Sequence, residues 1–351
     1  MRQPGTRAAP SLRYTLRRTP IWSNEFQADP IEQMLDRDRA PAGGFDWDGR
    51  FDTLHEQAQA AFLAANQMAD QSPADFVARL AKAAYAADFR AIFGTAILND
   101  PGRAFAMAAL AVERFELDDP SFYPYTSRFD EFLDGKPSLT PREKRGLALF
   151  VDPDKGNCAS CHIATKGADG SHPLFTDFGF QILGVPRNPA IPQTRVPGYF
   201  DMGLCGPQRK DLSTQQAYCG MFKTPSLRNV ATRRVFFHNG SIHSLREAIR
   251  FYVTRDRDAG HWYPQGADSS RRYNDLPREL RANVDHFNAP FNRGDGSPAA
   301  LSEAEVTDVL AFLGTLTDRD ARMPPAKRIP RTTLTETPSA RTIPILLYSG
   351  T

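Results

Sequence analysis

The chain has 351 residues, enough for two domains with a core each. Its 43 basic and 41 acidic residues leave a net charge of +2, which argues against a nucleic-acid surface, and no apolar run reaches the length of a membrane span. The 28 prolines and 24 glycines point to short helices joined by long irregular loops.

Residues 1–22 carry Arg2, Arg7, Arg13, Arg17 and Arg18 but no apolar run of the kind an export signal needs. Pro41 to Gly44 reads as a turn. Phe45-Asp46-Trp47-Asp48-Gly49-Arg50 is an aromatic and charged cluster that leads into a helical stretch from about Thr53 to Gln67. The next helix starts at Ser72-Pro73-Ala74-Asp75, with a serine cap, proline at the first helical position and an acid two residues on. Its apolar positions Phe76, Val77, Leu80, Ala84 and Tyr85 follow at helical spacing toward a break near Gly94. A further helix from about Arg103 to Phe115 offers Phe105, Ala108, Leu110, Ala111, Val112 and Phe115 to a core. Residues 117–138, with Pro120, Pro124 and Pro137, read as a linker. The domain boundary is placed there, between an N-terminal domain over 1–130 and a C-terminal domain over 139–320.

Thr140 and Glu143 form a capping box around Pro141, and that helix runs through Leu147 and Phe150 toward Cys158-Ala159-Ser160-Cys161-His162. Cys-x-x-Cys-His is the attachment pattern of a c-type haem. The thiols bond to the two vinyl groups of one porphyrin, and the adjacent imidazole takes the proximal side of the iron. A redox Cys-x-x-Cys wants a βαβ context, and a zinc site wants a second ligand pair at finger or ribbon spacing. Neither is present, since Cys205 and Cys219 are too distant from the motif and from each other. Those two cysteines either bridge, as an oxidising compartment favours, or remain free buried thiols. Haem attachment of this type takes place outside the cytoplasm, which indicates the periplasm.

Residues 165–222 are Gly- and Pro-rich loop, Leu245 to Val253 reads as helix, and Ser302 with Glu305 caps the last clear helix. The face of that helix is Val306, Val309, Leu310, Leu313 and Leu316. The Pro/Thr/Arg-rich tail over 321–351 is expected to be poorly ordered. The second axial position decides what such a haem does. By residue type its candidates are Met202, Met221, His238, His243, Tyr252 and His261, and spacing does not choose among them.

Several blocks carry a family resemblance. They are Phe222-Lys223-Thr224-Pro225-Ser226-Leu227-Arg228-Asn229-Val230, then Phe236-Phe237-His238-Asn239-Gly240, then Leu245-Arg246-Glu247-Ala248. With Phe45 to Arg50 and Gly5 to Leu12, they resemble the bacterial di-haem cytochrome c peroxidase family, including its MauG-type branch, over roughly residues 5–318. The resemblance implies a mainly α fold of two cytochrome c-like helical domains with long irregular loops, whose haems face each other across a calcium-containing interface. It implies that Cys158, Cys161 and His162 hold the C-terminal haem, that Trp47 lies between the haems, and that His238 sits on the propionate side. Tyr252 falls at the distal position, where peroxidases commonly carry Met and MauG-type members Tyr. The implied reaction is reduction of hydrogen peroxide with electrons from a small donor protein, a cytochrome c or a cupredoxin. The implied setting is the periplasm, in homodimers like those of many relatives.

The departures from the family pattern are equally specific. There is one Cys-x-x-Cys-His; in relatives the first motif lies upstream of the segment matched by Gly5 to Leu12, so it would fall before Met1. A second haem and the export signal are therefore expected upstream, with this chain a fragment from a late start. The family's acid/base glutamate aligns with Gln67, which can hydrogen-bond peroxide but cannot shuttle its proton. Ala8 stands where relatives have Asn, which weakens the expectation of calcium. Two rival readings follow. One is a single-haem electron carrier, favoured by Gln67 and the lone motif. The other is a MauG-like oxidase acting on a partner protein, favoured by Tyr252, with Trp262 as its candidate surface relay.

Overall fold

The computed structural model describes residues 4–26, 40–264, 272–294 and 296–322. It is mainly helical. The strands described are two short antiparallel pairs: β1 (Ser23–Phe26) with β2 (Ala40–Ala42), and β3 (Phe180–Gln181) with β4 (Phe222–Lys223). In the second pair Phe180 faces Lys223 and Gln181 faces Phe222. The expected tail beyond residue 322 lies outside the described residues. Among those described, no helix is long and apolar enough to cross a membrane.

The first hydrophobic cluster is built by α1 (Leu54–Leu63), α2 (Pro73–Leu80), α3 (Ala86–Phe93) and α4 (Pro101–Asp118). Ser72 caps α2 as its sequence predicts, its hydroxyl accepting from Asp75 N. The helix then stops at Leu80, although Ala81 to Ala84 contains no glycine or proline. The amides of Lys82 and Ala83 reach back only three residues, to the carbonyls of Arg79 and Leu80, and this tightening re-aims the chain. Leu80 and Phe89 both become core residues, whereas Ala84 and Tyr85, expected inside, are exposed. The expected helix to Gln67 likewise ends at Leu63.

α4 begins earlier than Arg103, because the Asp100 carboxylate accepts from Arg103 N ahead of Pro101. Its inward positions are Phe105, Ala109, Val112 and Glu116 rather than Ala111 and Phe115. Phe115 is 58 % exposed and rests edge-on against Phe122 at 5.5 Å. Glu116 completes the stripe. Burial, and then neighbouring Glu113, raises its pKa above the usual carboxylate range.

The run 117–138, expected as linker, contains α5 (Arg128–Leu133). A Ser127–Asp130 capping box opens it, and its Phe129 enters the second cluster. There α6 (Pro141–Val151), capped by Thr140 and Glu143, lies along α9 (Glu303–Gly314), capped by Ser302 and Glu305. Phe129, Phe150, Phe175 and Phe312 interlock between them with ring centres 5.2 to 6.3 Å apart. α7 (Leu245–Thr254) and α8 (Ala259–Trp262) complete this side, and α10 (Arg319–Arg322) ends the described chain.

α6 and α9 approach closely because residue 146 is glycine. A Cβ there would stand 2.6 Å from the Asp308 carbonyl carbon and 2.8 Å from Phe312 Cβ. Backbone cannot yield as a flexible side chain can. Gly146→Ala should therefore destabilise by about 1–3 kcal/mol, against the usual gain from alanine in a helix. A urea midpoint equal to or above that of the wild type would refute this.

Candidate functional site

The Cys-x-x-Cys-His run starts just beyond α6. Asn157 takes a left-handed φ of 46°, which asparagine tolerates, and its amide donates to Ala289 O at 3.0 Å. One 3₁₀ turn over Cys158–Ser160 follows, closed by Cys161 N donating to Cys158 O, and His162 N donates to the same carbonyl at 2.8 Å. Both sulfurs and the imidazole thereby reach the wall of one cavity of about 710 Å³. α7 brings Ala248, Ile249 and Tyr252 to the same cavity, and Phe237, Val230 and Leu313 contribute apolar wall.

His162 Nδ1 lies 2.8 Å from Phe175 O. A carbonyl only accepts, so Nδ1 carries the proton and Nε2 keeps its lone pair. Burial lowers the imidazole pKa to about 4 against the opposing pull of the Phe175 and Pro225 carbonyls, so the ring is neutral. Burial, with a contribution from Cys161, pushes the Cys158 thiol up to about 12; burial, then Asp177, pushes Cys161 up to about 11. The Tyr252 phenol is raised by burial and then by the two cysteines, which places sulfur and phenol in one enclosed space. Two thiols two residues apart, a neutral imidazole with a bare Nε2, and a large apolar-walled cavity are the donor set and the room that a c-type haem requires.

Trp47 lines this cavity too. Its indole N–H donates to Ala8 O at 2.8 Å, and its backbone carbonyl accepts from Lys223 N at 2.9 Å. His238 sits edge-on to it at 6.5 Å and lies flat against Phe222 at 3.4 Å. The His238 Nε2 is engaged by Asp275 at 3.3 Å, and its carbonyl accepts from Ala8 N at 2.7 Å. Gln67 is not brought to this cavity: it is exposed, in the turn that follows α1. Of the other axial candidates, His243 and His261 are exposed, and Met202 and Met221 do not line the cavity. Trp262 is buried beneath His261 and donates to Thr254 Oγ1 at 3.0 Å. Cys205 and Cys219 form a disulfide, with Cα atoms 4.9 Å apart, rather than two free thiols.

A charged frame around Trp47 escaped the sequence. Arg7 donates to Asp201 at 2.6 and 2.7 Å and to Asp48 at 2.7 Å. Arg50 pairs with Asp46 and Asp48, and Arg209 pairs with Asp211 while donating to the carbonyls of Asp48 and Gly49. The Asp46-Trp47-Asp48-Gly49-Arg50 run hinted at the local half. Asp201, 194 residues from Arg7, gave no signal. Among the described residues no group of three or more His, Cys, Asp or Glu side chains is placed to hold a metal ion, calcium included.

Comparison with known proteins bears on the family of the whole chain. Residues 1–138 match the family model for di-haem cytochrome c peroxidase. The methylamine utilization protein MauG of Paracoccus denitrificans is 33% identical over 291 residues, covering 79% of this chain and 68% of that protein. The cytochrome-c peroxidase IdrP1 of Pseudomonas sp. is 29% identical over 233 residues, 61% of this chain and 56% of that protein. The crystal structure of the diheme peroxidase BthA from Burkholderia thailandensis superposes with a TM-score of 0.80 at 38% identity, over 92% of this chain and 75% of that one. The chain thus spans between about half and three-quarters of the length of these relatives. By the identity and coverage shared with MauG, and by the site it builds, the chain belongs to the di-haem cytochrome c peroxidase/MauG family.

Proposed function

We propose that this chain is the C-terminal-haem-bearing part of a periplasmic peroxidase that reduces hydrogen peroxide to water with electrons from a small donor protein. The observation that carries the reading is His162, neutral and fixed by the Phe175 carbonyl, with its Nε2 free beside two thiols and Tyr252 in one cavity. When bound, the haem supplies one-electron redox chemistry. Cys158 and Cys161 would anchor it, and His162 Nε2 and the Tyr252 phenol would be the side-chain donors offered to its iron. Trp47, held at both its indole and its carbonyl on the wall of this cavity, would be the side chain through which electrons pass between this site and the family's second haem. His238, tied to Asp275, positions the ring of Phe222 and the Ala8 amide rather than the iron. Gln67, aligned with the acid/base position of the family's peroxidatic pocket, lies outside this cavity and can hydrogen-bond peroxide but not shuttle its proton. The two hydrophobic clusters support two cytochrome c-like domains, over 1–130 and 139–320, with α5 packing on the second. The Cys205–Cys219 bridge supports an oxidising compartment.

Tyr252 within the cavity, together with the likeness to MauG, also favours an oxidase that acts on a partner protein. An intact mass of the protein from its native host, followed by peroxide turnover with a reduced donor, tests the leading reading. Two covalent haems and peroxide consumption support it. One haem on a chain that starts near Met1, with reversible reduction and no peroxide consumption, would leave a single-haem electron carrier instead. Tyr252→Met should change the ferric absorption spectrum and raise the midpoint potential, because a thioether favours ferrous iron more than a phenol oxygen does. An unchanged spectrum would remove Tyr252 from the iron.

A further inference from the structure

The carboxylates beside Trp47 are already matched by cations: Asp48 and Asp201 by Arg7, Asp46 and Asp48 by Arg50, and Asp211 by Arg209. Two cations of the cavity wall are left over. Lys223, on β4, directs its ammonium at the Gly44 carbonyl and stands 6.0 Å from the centre of the Phe45 ring. Arg233 donates to Ala9 O at 2.6 Å. Among the described residues neither forms an ion pair with a carboxylate, and both line the cavity that holds Cys158, Cys161 and His162.

Burial lowers the Lys223 pKa to about 8, with Asp46 and Asp48 opposing from farther off, and burial alone lowers that of Arg233. A cation held this way, on one neutral carbonyl in a partly dry wall, lacks the partner that normally offsets its desolvation. The two flank Trp47. The Lys223 amide holds the Trp47 carbonyl, and Arg233 grips the carbonyl next to Ala8 O, which holds the Trp47 indole.

We propose that Lys223 and Arg233 form the anion-binding end of this cavity, where they receive the two carboxylate arms of the porphyrin and turn that edge toward Trp47. The inference rests on the haem reading above and extends it. The cysteines fix the vinyl edge of the ring, away from which Lys223 and Arg233 select where the acidic edge lies. Burial and then Asp177, in the same wall, raise the Cys161 thiol pKa, so Asp177 marks the cysteine side. Neutralising those arms also tunes the iron, because an uncompensated negative charge nearby stabilises the ferric state.

The test uses the haem-loaded chain with Lys223→Met, Arg233→Met and the conservative Lys223→Arg and Arg233→Lys. Mass spectrometry reads the covalent haem, circular dichroism the fold, and spectroelectrochemistry the midpoint potential. Both Met variants should keep their covalent haem and show a lowered potential, and the conservative variants should restore it. Folded, haem-loaded Met variants with wild-type potentials would overturn the proposal while leaving the haem reading intact. A wild-type chain that takes no covalent haem would overturn both. A variant-sensitive shift that occurs only when inorganic phosphate is added would overturn it in favour of a free anion. Arg233, half-exposed, provides the decisive arm should Lys223→Met fail to fold.

Discussion

Arg228→Met should lower folding stability by about 3–5 kcal/mol, because it leaves a buried carboxylate without its cation. Both Asp130 oxygens lie 2.8 Å from Arg228 Nη1, and the two side chains are 1 % and 2 % exposed. The same guanidinium donates twice to Pro173 O, at 2.9 and 2.7 Å, and lies over the rings of Tyr14 and Tyr125. Asp130 also accepts from Ser127 N and Oγ as the cap of α5, so it cannot turn away to find water. His172 Nδ1, 3.1 Å from Asp130 Oδ1, stays beside the carboxylate, but removing Arg228 takes away its permanent, bidentate cation. Methionine fills the space of the stem, which separates loss of charge from loss of volume. The urea midpoint measures the effect. A second variant, Arg228→Met with Asp130→Leu, should recover part of the loss because it removes the stranded charge. A single-variant loss below about 0.5 kcal/mol, the range of ordinary surface changes, would refute the assignment.

Arg228 also explains what the sequence could convey. The Thr-Pro-x-Leu-Arg-Asn run identified the family, yet its Arg and Asn are anchors rather than reactive groups. Arg228 ties the run to α5. Asn229, at a left-handed φ of 60°, bonds to both the backbone and the side chain of Asp318 beyond α9. Cys158, Cys161 and His162 stood out because haem attachment demands a fixed local spacing, and the fold lines one cavity with all three. The caps at Ser72, Thr140 and Ser302 were legible because a cap is completed within four residues. The cap at Asp100 and the box at Ser127 were equally local signals, outweighed by the prolines around them. The break after Leu80 carries no local mark, since packing of Leu80 and Phe89 on α4 imposes it. Tyr252 was one of six axial candidates by residue type and was singled out only through resemblance, because many residue types could stand opposite the imidazole; the folded position of α7 brings it to the cavity wall. Gln67 matches by alignment the acid/base position of the family's peroxidatic pocket rather than this cavity, and it lies exposed in the turn after α1.

Arg7→Met should cost about 3–5 kcal/mol for a similar reason, with a consequence nearer the chemistry. Arg7 is the cation for Asp201 and shares Asp48 with Arg50, the two carboxylate side chains being 8 % and 0 % exposed. It also fixes the strap that ends in Ala8, whose carbonyl holds the Trp47 indole and whose amide holds His238. Loss of Arg7 should therefore speed hydrogen exchange at the Trp47 indole N–H well before global unfolding. A purely structural role elsewhere would leave that exchange unchanged. The pH dependence has a definite sign. Burial raises the Asp201 pKa, but the Arg7 guanidinium more than reverses this and holds the carboxyl below its ordinary value. In the wild type, the stabilisation from Asp201 is thus present above the unfolded value of about 3.9 and is lost as pH falls through the folded one. Without Arg7, burial leaves the folded value raised, so the variant gains stability as pH falls through that value. The stability gap between wild type and Arg7→Met should be widest at neutral pH and shrink on acidification. A gap that stays constant between neutral pH and about pH 4 would mean that Asp201 does not depend on Arg7 for its charge.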